Sequence, residues 1–282
     1  MIKILFLWDG VRKRDLAEKD MAEIISENYN LTYATPEDIF LKIKQPHDIL
    51  WLGIYHRVLP IDFTKLFDLV TSPVIIDQAD NEHFMKHQGG NKALPYNKIK
   101  RGVFCSRYLP YAPLKVYANS IGLTVKQLSW YINPKRFRSE EKTIDVCFLG
   151  SMNARRNDWL DKLKNINEIS IITGSYWGDE YADILAKSKV SIVECERKCL
   201  TQKYIESSLS GCTLVGDVVE RPKNSLSVYY VKKLGLEKAI RMALEQPVVN
   251  NIESSFLSEF NSIVNELLLV QRKLDGHQGE CW

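Results

Sequence analysis

The hydrophobic pattern begins with a short, almost unbroken apolar run at residues 2–8 (IKILFLW), stopped by Asp9-Gly10. A run that short, without polar alternation, predicts a strand covered on both faces, as in a parallel sheet. From 15 to 29 the apolar residues Leu16, Ala17, Met21, Ala22, Ile24 and Ile25 recur at helical spacing between charges, predicting an amphipathic helix. Apolar runs return at 31–34, 48–54, 74–76 and 102–105, mostly with helical segments between them. Strands alternating with helices imply a parallel sheet with helices on both sides.

The pattern then restarts. Residues 144–149 (IDVCFL) form a strand closed by Gly150-Ser151, followed by a helix at 158–163, a strand at 169–173 and a helix at 181–188. A strand at 190–193, a helix at 202–209 and a strand at 213–215 ending at Asp217 complete the series. Residues 252–274 carry apolar positions at helical spacing and predict a long C-terminal helix. Asn133-Pro134 between the halves marks a turn or linker. The expectation is an α/β protein of two Rossmann-like domains facing across a cleft, residues 1–133 and 134–282, with the long helix in the second. Ligands of such sheets bind just beyond the carboxyl ends of the strands.

Composition excludes several classes. The 282 residues suit two domains, and 45% apolar with 26% charged residues rules out wholesale disorder. No apolar run reaches the roughly 18–20 residues of a membrane span, and Lys3 interrupts the apolar start too early for a signal peptide. Six cysteines at 105, 147, 195, 199, 212 and 281 form neither a CxxC pair nor a secreted framework. A cytoplasmic protein is expected. His83 and His87 stand four apart, but without acidic neighbours they make no metal site.

Two clusters after strands carry candidate chemistry. Gly150-Ser151 gives a tight strand-to-helix turn whose amides can face an anion, and Arg155 with Arg156 adds donors for a diphosphate. Lys203 and Glu206 share one helical face, where a cation and a carboxylate can hold a phosphate and ribose hydroxyls. Taken alone, the two arginines can also be read as a solvated helix start, and Lys203 with Glu206 as a surface pair. Trp177, after Gly174-Ser175-Tyr176, is either a stacking platform for a base or a packing residue.

These segments, DVCFLGS with its two arginines and TQKYIESSLSGCTLVGD about fifty residues later, resemble the donor-binding half of GT-B glycosyltransferases. YINPKRF ahead of them is similar to the linker that precedes that half. The similarity is nearest to spore-maturation-protein-like glycosyltransferases and phage DNA β-glucosyltransferases, and covers about 130–220 well. It implies that Gly150, Ser151, Arg155 or Arg156, and Lys203 meet the diphosphate of a nucleotide sugar, UDP-glucose by resemblance alone, and that Glu206 meets the ribose. Many retaining members carry a second Glu eight residues before the ribose-binding one; here that position is Lys198. Inversion is therefore favoured, and it needs a base for the acceptor hydroxyl. In the phage enzymes an Asp after a comparable strand is that base, which makes Asp80 the better match, Asp77 second and Asp9 a further candidate. No Asp-x-Asp metal motif is present, and the phosphate-holding cations would stabilise the leaving group, so no cofactor is required beyond the nucleotide sugar.

Charge then bears on the acceptor. Residues 1–140 hold 20 Lys+Arg and 15 Asp+Glu, net +5, against 18 and 20, net −2, in the remainder, which together give the overall +3. From His83 to Ser139 there is no carboxylate, yet eleven Lys/Arg and nine aromatic residues. Lys86, Lys98, Lys100, Arg101 and Arg107, with the Arg12-Lys13-Arg14 cluster, are expected to meet a polyanion. Cations for phosphates and aromatics for an extruded base suit double-stranded DNA bearing hydroxymethylated pyrimidines, as in phage enzymes. The alternatives are a cell-surface or spore glycan as acceptor, or a non-catalytic nucleic-acid-binding protein of the same fold.

Overall fold

The structure, a computed structural model, describes residues 1–8, 16–54, 56–78, 94–107, 112–150, 154–194, 201–217, 226–250 and 255–277. The chain forms two units, Met1–Tyr131 with Ser254–Trp282, and Ile132–Glu253.

In the first unit the strands are β1 (Lys3–Leu7), β2 (Asn30–Ala34), β3 (Ile49–Leu52), β4 (Val74–Gln78), β5 (Gly102–Ser106) and β6 (Thr124–Gln127). They pair in parallel in the order β2-β1-β3-β4-β5-β6. The helices α1 (Leu16–Ser26), α2 (Ile39–Lys42), α3 (Phe63–Leu69) and α4 (Ala112–Ser120) connect them. The inner strands are mostly apolar because both faces are covered: β3, ILWL, is buried at every position.

The second unit repeats the plan. Its strands β7 (Ile144–Leu149), β8 (Ile171–Gly174), β9 (Ser188–Val193), β10 (Thr213–Gly216) and β11 (Val228–Tyr230) run in the order β11-β10-β9-β7-β8, again all parallel. Its helices are α5 (Ala154–Leu163), α6 (Gly178–Lys187), α7 (Gln202–Leu209), α8 (Val231–Leu234) and α9 (Leu236–Glu245). In each sheet the first strand lies between the second and the third, so the winding reverses beside it. The carboxyl ends of β1 and β3, and of β7 and β9, are the two switch points where such sheets take ligands.

The long helix α10 (Phe256–His277) is where the expectation needs correcting. Sequence order placed it in the second domain; its packing places it on the first. Phe260 lies 5.2 Å from Trp51 and 5.9 Å from Tyr29, ring centre to ring centre. The Tyr29 hydroxyl donates to Asn261 Oδ1 at 2.6 Å, and Glu259 accepts from the Ser129 amide at 2.6 Å and its hydroxyl at 3.1 Å. An apolar helical stripe shows that a face is buried, but not which sheet buries it.

His56, four residues past β3, ties the first switch point to the core. Its Nδ1 lies 2.6 Å from the Gly53 carbonyl and its Nε2 2.8 Å from the Tyr96 hydroxyl. A carbonyl only accepts, so Nδ1 carries the hydrogen and Nε2 accepts from Tyr96. Burial pushes the His56 pKa down to about 3. The unfolded chain takes up this proton near 6.5 and the folded one only near 3, so stability is lost as pH falls through that window. The share between pH 7 and 5 is about 2 kcal/mol. His56→Asn should remove it: urea unfolding at the two pH values should show wild type losing about that much more than the variant. Equal losses would show that His56 titrates normally.

Candidate functional site

The second switch point gathers the candidate chemistry. β7 ends at Leu149, and Gly150 follows with φ +128°, a conformation that excludes most side chains. A Cβ at Gly150 would also displace Lys203 Nζ and Arg156 Nη1. Both cations turn in to one acceptor. Lys203 Nζ donates to the Leu149 carbonyl at 2.8 Å and Arg156 Nη2 to the same oxygen at 3.0 Å. α5 supplies the arginine from its first turn, and α7 supplies the lysine as its second residue.

This crowding has an electrostatic consequence. Burial, then the neighbouring Arg156 charge, brings the Lys203 pKa down to about 8, although Glu206 and Glu194 pull the other way. Burial likewise draws Arg156 down. Two like charges sharing one neutral carbonyl gain when an anion arrives between them.

Carboxylates fix the surroundings. Glu194, immediately after β9, lies 3.1 Å from Arg155 Nη1 and 3.5 Å from Arg156 Nε. Asp217, immediately after β10, accepts from Arg155 Nη2 at 2.5 Å. Arg155 thus bridges the ends of β9 and β10, with its guanidinium 5.6 Å from the Trp159 ring. Glu206 is 5% exposed, and its two oxygens accept from Gln202 Nε2 at 2.7 Å and the Tyr181 hydroxyl at 2.8 Å. The surface-pair reading of Lys203 and Glu206 therefore fails, because both turn inward. Trp177 stands 48% exposed just ahead of α6, on the same carboxyl edge of the sheet.

One expectation about the turn changes. The Gly150 amide does not face an anion: it donates to the Gly174 carbonyl at 2.8 Å, joining the ends of β7 and β8. Ser151 lies outside the described residues. Glu194, Asp217, Tyr181 and Gln202 were not singled out from sequence, yet Glu194 was findable, since it directly follows a strand.

In the first unit the predicted residues scatter. Asp77 on β4 and Arg107 just after β5 are each other's partners, joined Oδ2 to Nη2, and neither side chain has any exposure. Asp77 as a base for an acceptor hydroxyl and Arg107 as a phosphate contact are both corrected, because each role needs an accessible group. Burial holds the Asp77 pKa up to about 6 against the pull of Arg107.

Lys98, Lys100 and Arg101 precede β5, so they sit at the amino edge of the sheet, opposite the edge where ligands bind. There Lys98 pairs with Asp68 at 2.7 Å, and Arg101 donates to the Thr71 carbonyl at 2.7 Å. Tyr96, Phe104 and Trp130 are buried, so these three of the nine aromatics counted toward an extruded base serve the core. Asp80, Asp9, Arg12, Lys13, Arg14 and Lys86 lie outside the described residues. Among the described residues no group of three His, Cys, Asp or Glu could hold a metal ion, and no helix is long and apolar enough to cross a membrane.

No protein-family model and no curated protein matches the chain. Solved structures do match. Anabaena HepE in complex with UDP-glucose has a TM-score of 0.54 at 9% identity, covering 99% of this chain and 100% of that one. HepE in complex with UDP and glucose has a TM-score of 0.52 at 10% identity, with the same coverage. At such identity the likeness is one of fold. The chain has the architecture expected of it, two Rossmann-like α/β sheets of the GT-B kind with a long C-terminal helix.

Proposed function

We propose that the protein is a glycosyltransferase that moves a sugar, glucose in the first instance, from a uridine diphosphate sugar to an acceptor hydroxyl. The observation that carries this is the meeting of Lys203 and Arg156 beneath Gly150, at the switch point of the second sheet. HepE, of the same fold, was solved with UDP-glucose, which supports the choice of donor. In this reading Lys203 and Arg156, with Ser151, hold the diphosphate. Arg155, steadied by Glu194 and Asp217, borders it. Glu206 takes the ribose hydroxyls and Trp177 stacks on the base.

The acceptor oxygen attacks the anomeric carbon as the bond from that carbon to the diphosphate oxygen breaks. The departing diphosphate keeps the electron pair, and the paired cations stabilise its growing charge. The acceptor proton passes to a carboxylate, for which Asp80 is proposed first and Asp9 second. Lys198, in place of a Glu, supports inversion. Asp80→Asn should leave UDP affinity within about twofold and lower turnover on the order of 100-fold or more, as loss of a general base does. Calorimetry and a UDP-release assay check the two halves, and full turnover in the variant would move the base to Asp9.

The acceptor divides two readings. DNA carrying hydroxymethylated pyrimidines now rests on Arg12, Lys13, Arg14 and Lys86. The placement of Lys98, Lys100 and Arg101 at the far edge of the sheet withdraws their support from it, and a glycan hydroxyl is the second reading. Incubation with labelled UDP-glucose separates them: label on DNA containing 5-hydroxymethylcytosine or 5-hydroxymethyluracil supports the first, and label only on glycan acceptors the second.

A further inference from the structure

Tyr181 is a group that neither the sequence motifs nor the reaction above uses. It projects from α6 into the cluster, where its hydroxyl donates to Glu206 Oε2 at 2.8 Å. The Phe137 ring meets it edge-on at 6.1 Å, limiting where the phenol can go. Burial and the adjacent Glu206 charge push the phenol pKa well up, so it stays a donor across the working range of pH. Gln202, one turn before Glu206 on α7, holds the other oxygen at 2.7 Å. The carboxylate is thus oriented from two helices at once, with Tyr181 reaching it from outside its own helix.

We infer that Tyr181 is a positioning residue that aims the Glu206 carboxylate at the ribose hydroxyls of the nucleotide, and so sets discrimination between ribonucleotide and deoxyribonucleotide donors. Tyr181 and Gln202 each hold one oxygen, which fixes the plane of the carboxylate. A carboxylate free to rotate would meet a pair of adjacent hydroxyls only part of the time. The inference rests on the donor-site reading above, and its test is arranged so that the two fail differently.

The test measures binding of UDP and of UDP lacking the 2′ or 3′ hydroxyl, by calorimetry, to the full chain as wild type, Tyr181→Phe, Glu206→Ala and the double variant. Wild type should prefer UDP on the order of 10- to 100-fold, the range for hydrogen bonds to a charged group. Tyr181→Phe should weaken UDP about five- to tenfold while leaving the deoxy forms nearly unchanged, so the preference narrows. In the Glu206→Ala background the same change should have no further effect. An equal loss for all three nucleotides, or a loss that persists without Glu206, would show that Tyr181 only packs, and would overturn the inference. A wild type that binds UDP without preference would remove the ribose role of Glu206 and the inference with it. No UDP binding at all would defeat the donor-site reading itself. Tyr181→His, which keeps a donor, should restore part of the preference, and failure of that rescue in a folded variant counts against positioning.

Discussion

Lys203→Met should weaken UDP binding by on the order of 100-fold, because it removes a charge-assisted contact from a site with little water to replace it. The variant keeps the length and apolar stem of the lysine, so loss of packing does not explain the loss of affinity. Gly150→Ala should do comparable damage by a different route. Its new methyl group would displace both Lys203 Nζ and Arg156 Nη1, and its φ of +128° disfavours alanine. The lysine also predicts a pH dependence. With a free-state pKa of about 8, Lys203 is charged below that value and loses its proton above it. A bound diphosphate favours the charged form, so affinity should fall as pH rises. From pH 7 to 9 the charged fraction of the free protein drops about tenfold, and UDP affinity should follow it. Calorimetry at the two pH values should show the slope in wild type and none in Lys203→Met. Unchanged affinity in both Lys203→Met and Gly150→Ala would remove the diphosphate from this site.

How much of this was legible in the sequence depends on where each residue sits. β1, β3, β7 and β9 were readable because inner strands, covered on both faces, carry compact and mostly apolar runs. β6 and β11 were not read; both are edge strands, half-buried and short, and their residues TVKQ and VYY make no comparable run. α9 was missed despite a clear stripe, with Leu236, Ala239, Ile240 and Ala243 all buried. The cluster at the second switch point was largely legible, since Gly150, Arg156, Lys203 and Glu206 follow strands or open a helix at fixed spacing. What spacing could not give was partnership. Arg155 and Arg156 look alike in sequence, but one bridges two strand ends and the other sits beside Lys203. The basic half illustrates the same limit more sharply. A count of cations shows an imbalance of charge, whereas their place just ahead of β5 puts Lys98, Lys100 and Arg101 at the amino edge of their sheet.

Arg107→Ala should be among the most destabilising single changes in the first unit, by about 3–5 kcal/mol, because it strands the Asp77 charge in a fully enclosed place. Arg107 also donates to the Leu128 and Ser129 carbonyls at 3.2 and 3.0 Å and lies over the Trp130 and Phe256 rings, so the change strips the link between the end of β6 and α10 as well. Asp77→Leu with Arg107→Met should recover much of the loss, since removing both charges also removes the cost of keeping them from water. Urea unfolding of the two single variants and the double variant gives the coupling directly, and purely additive losses would refute the pairing. The pH dependence has a definite sign. Asp77 takes up its proton at about 6 when folded and near 3.8 when unfolded, so its contribution to stability falls as pH rises through that window. The double variant should lose that slope. It also decides the catalytic question. A base cannot be replaced by leucine, so UDP-glucose turnover surviving in the folded double variant assigns proton removal to a carboxylate other than Asp77. Its complete loss, with UDP affinity intact, would return Asp77 to the reaction.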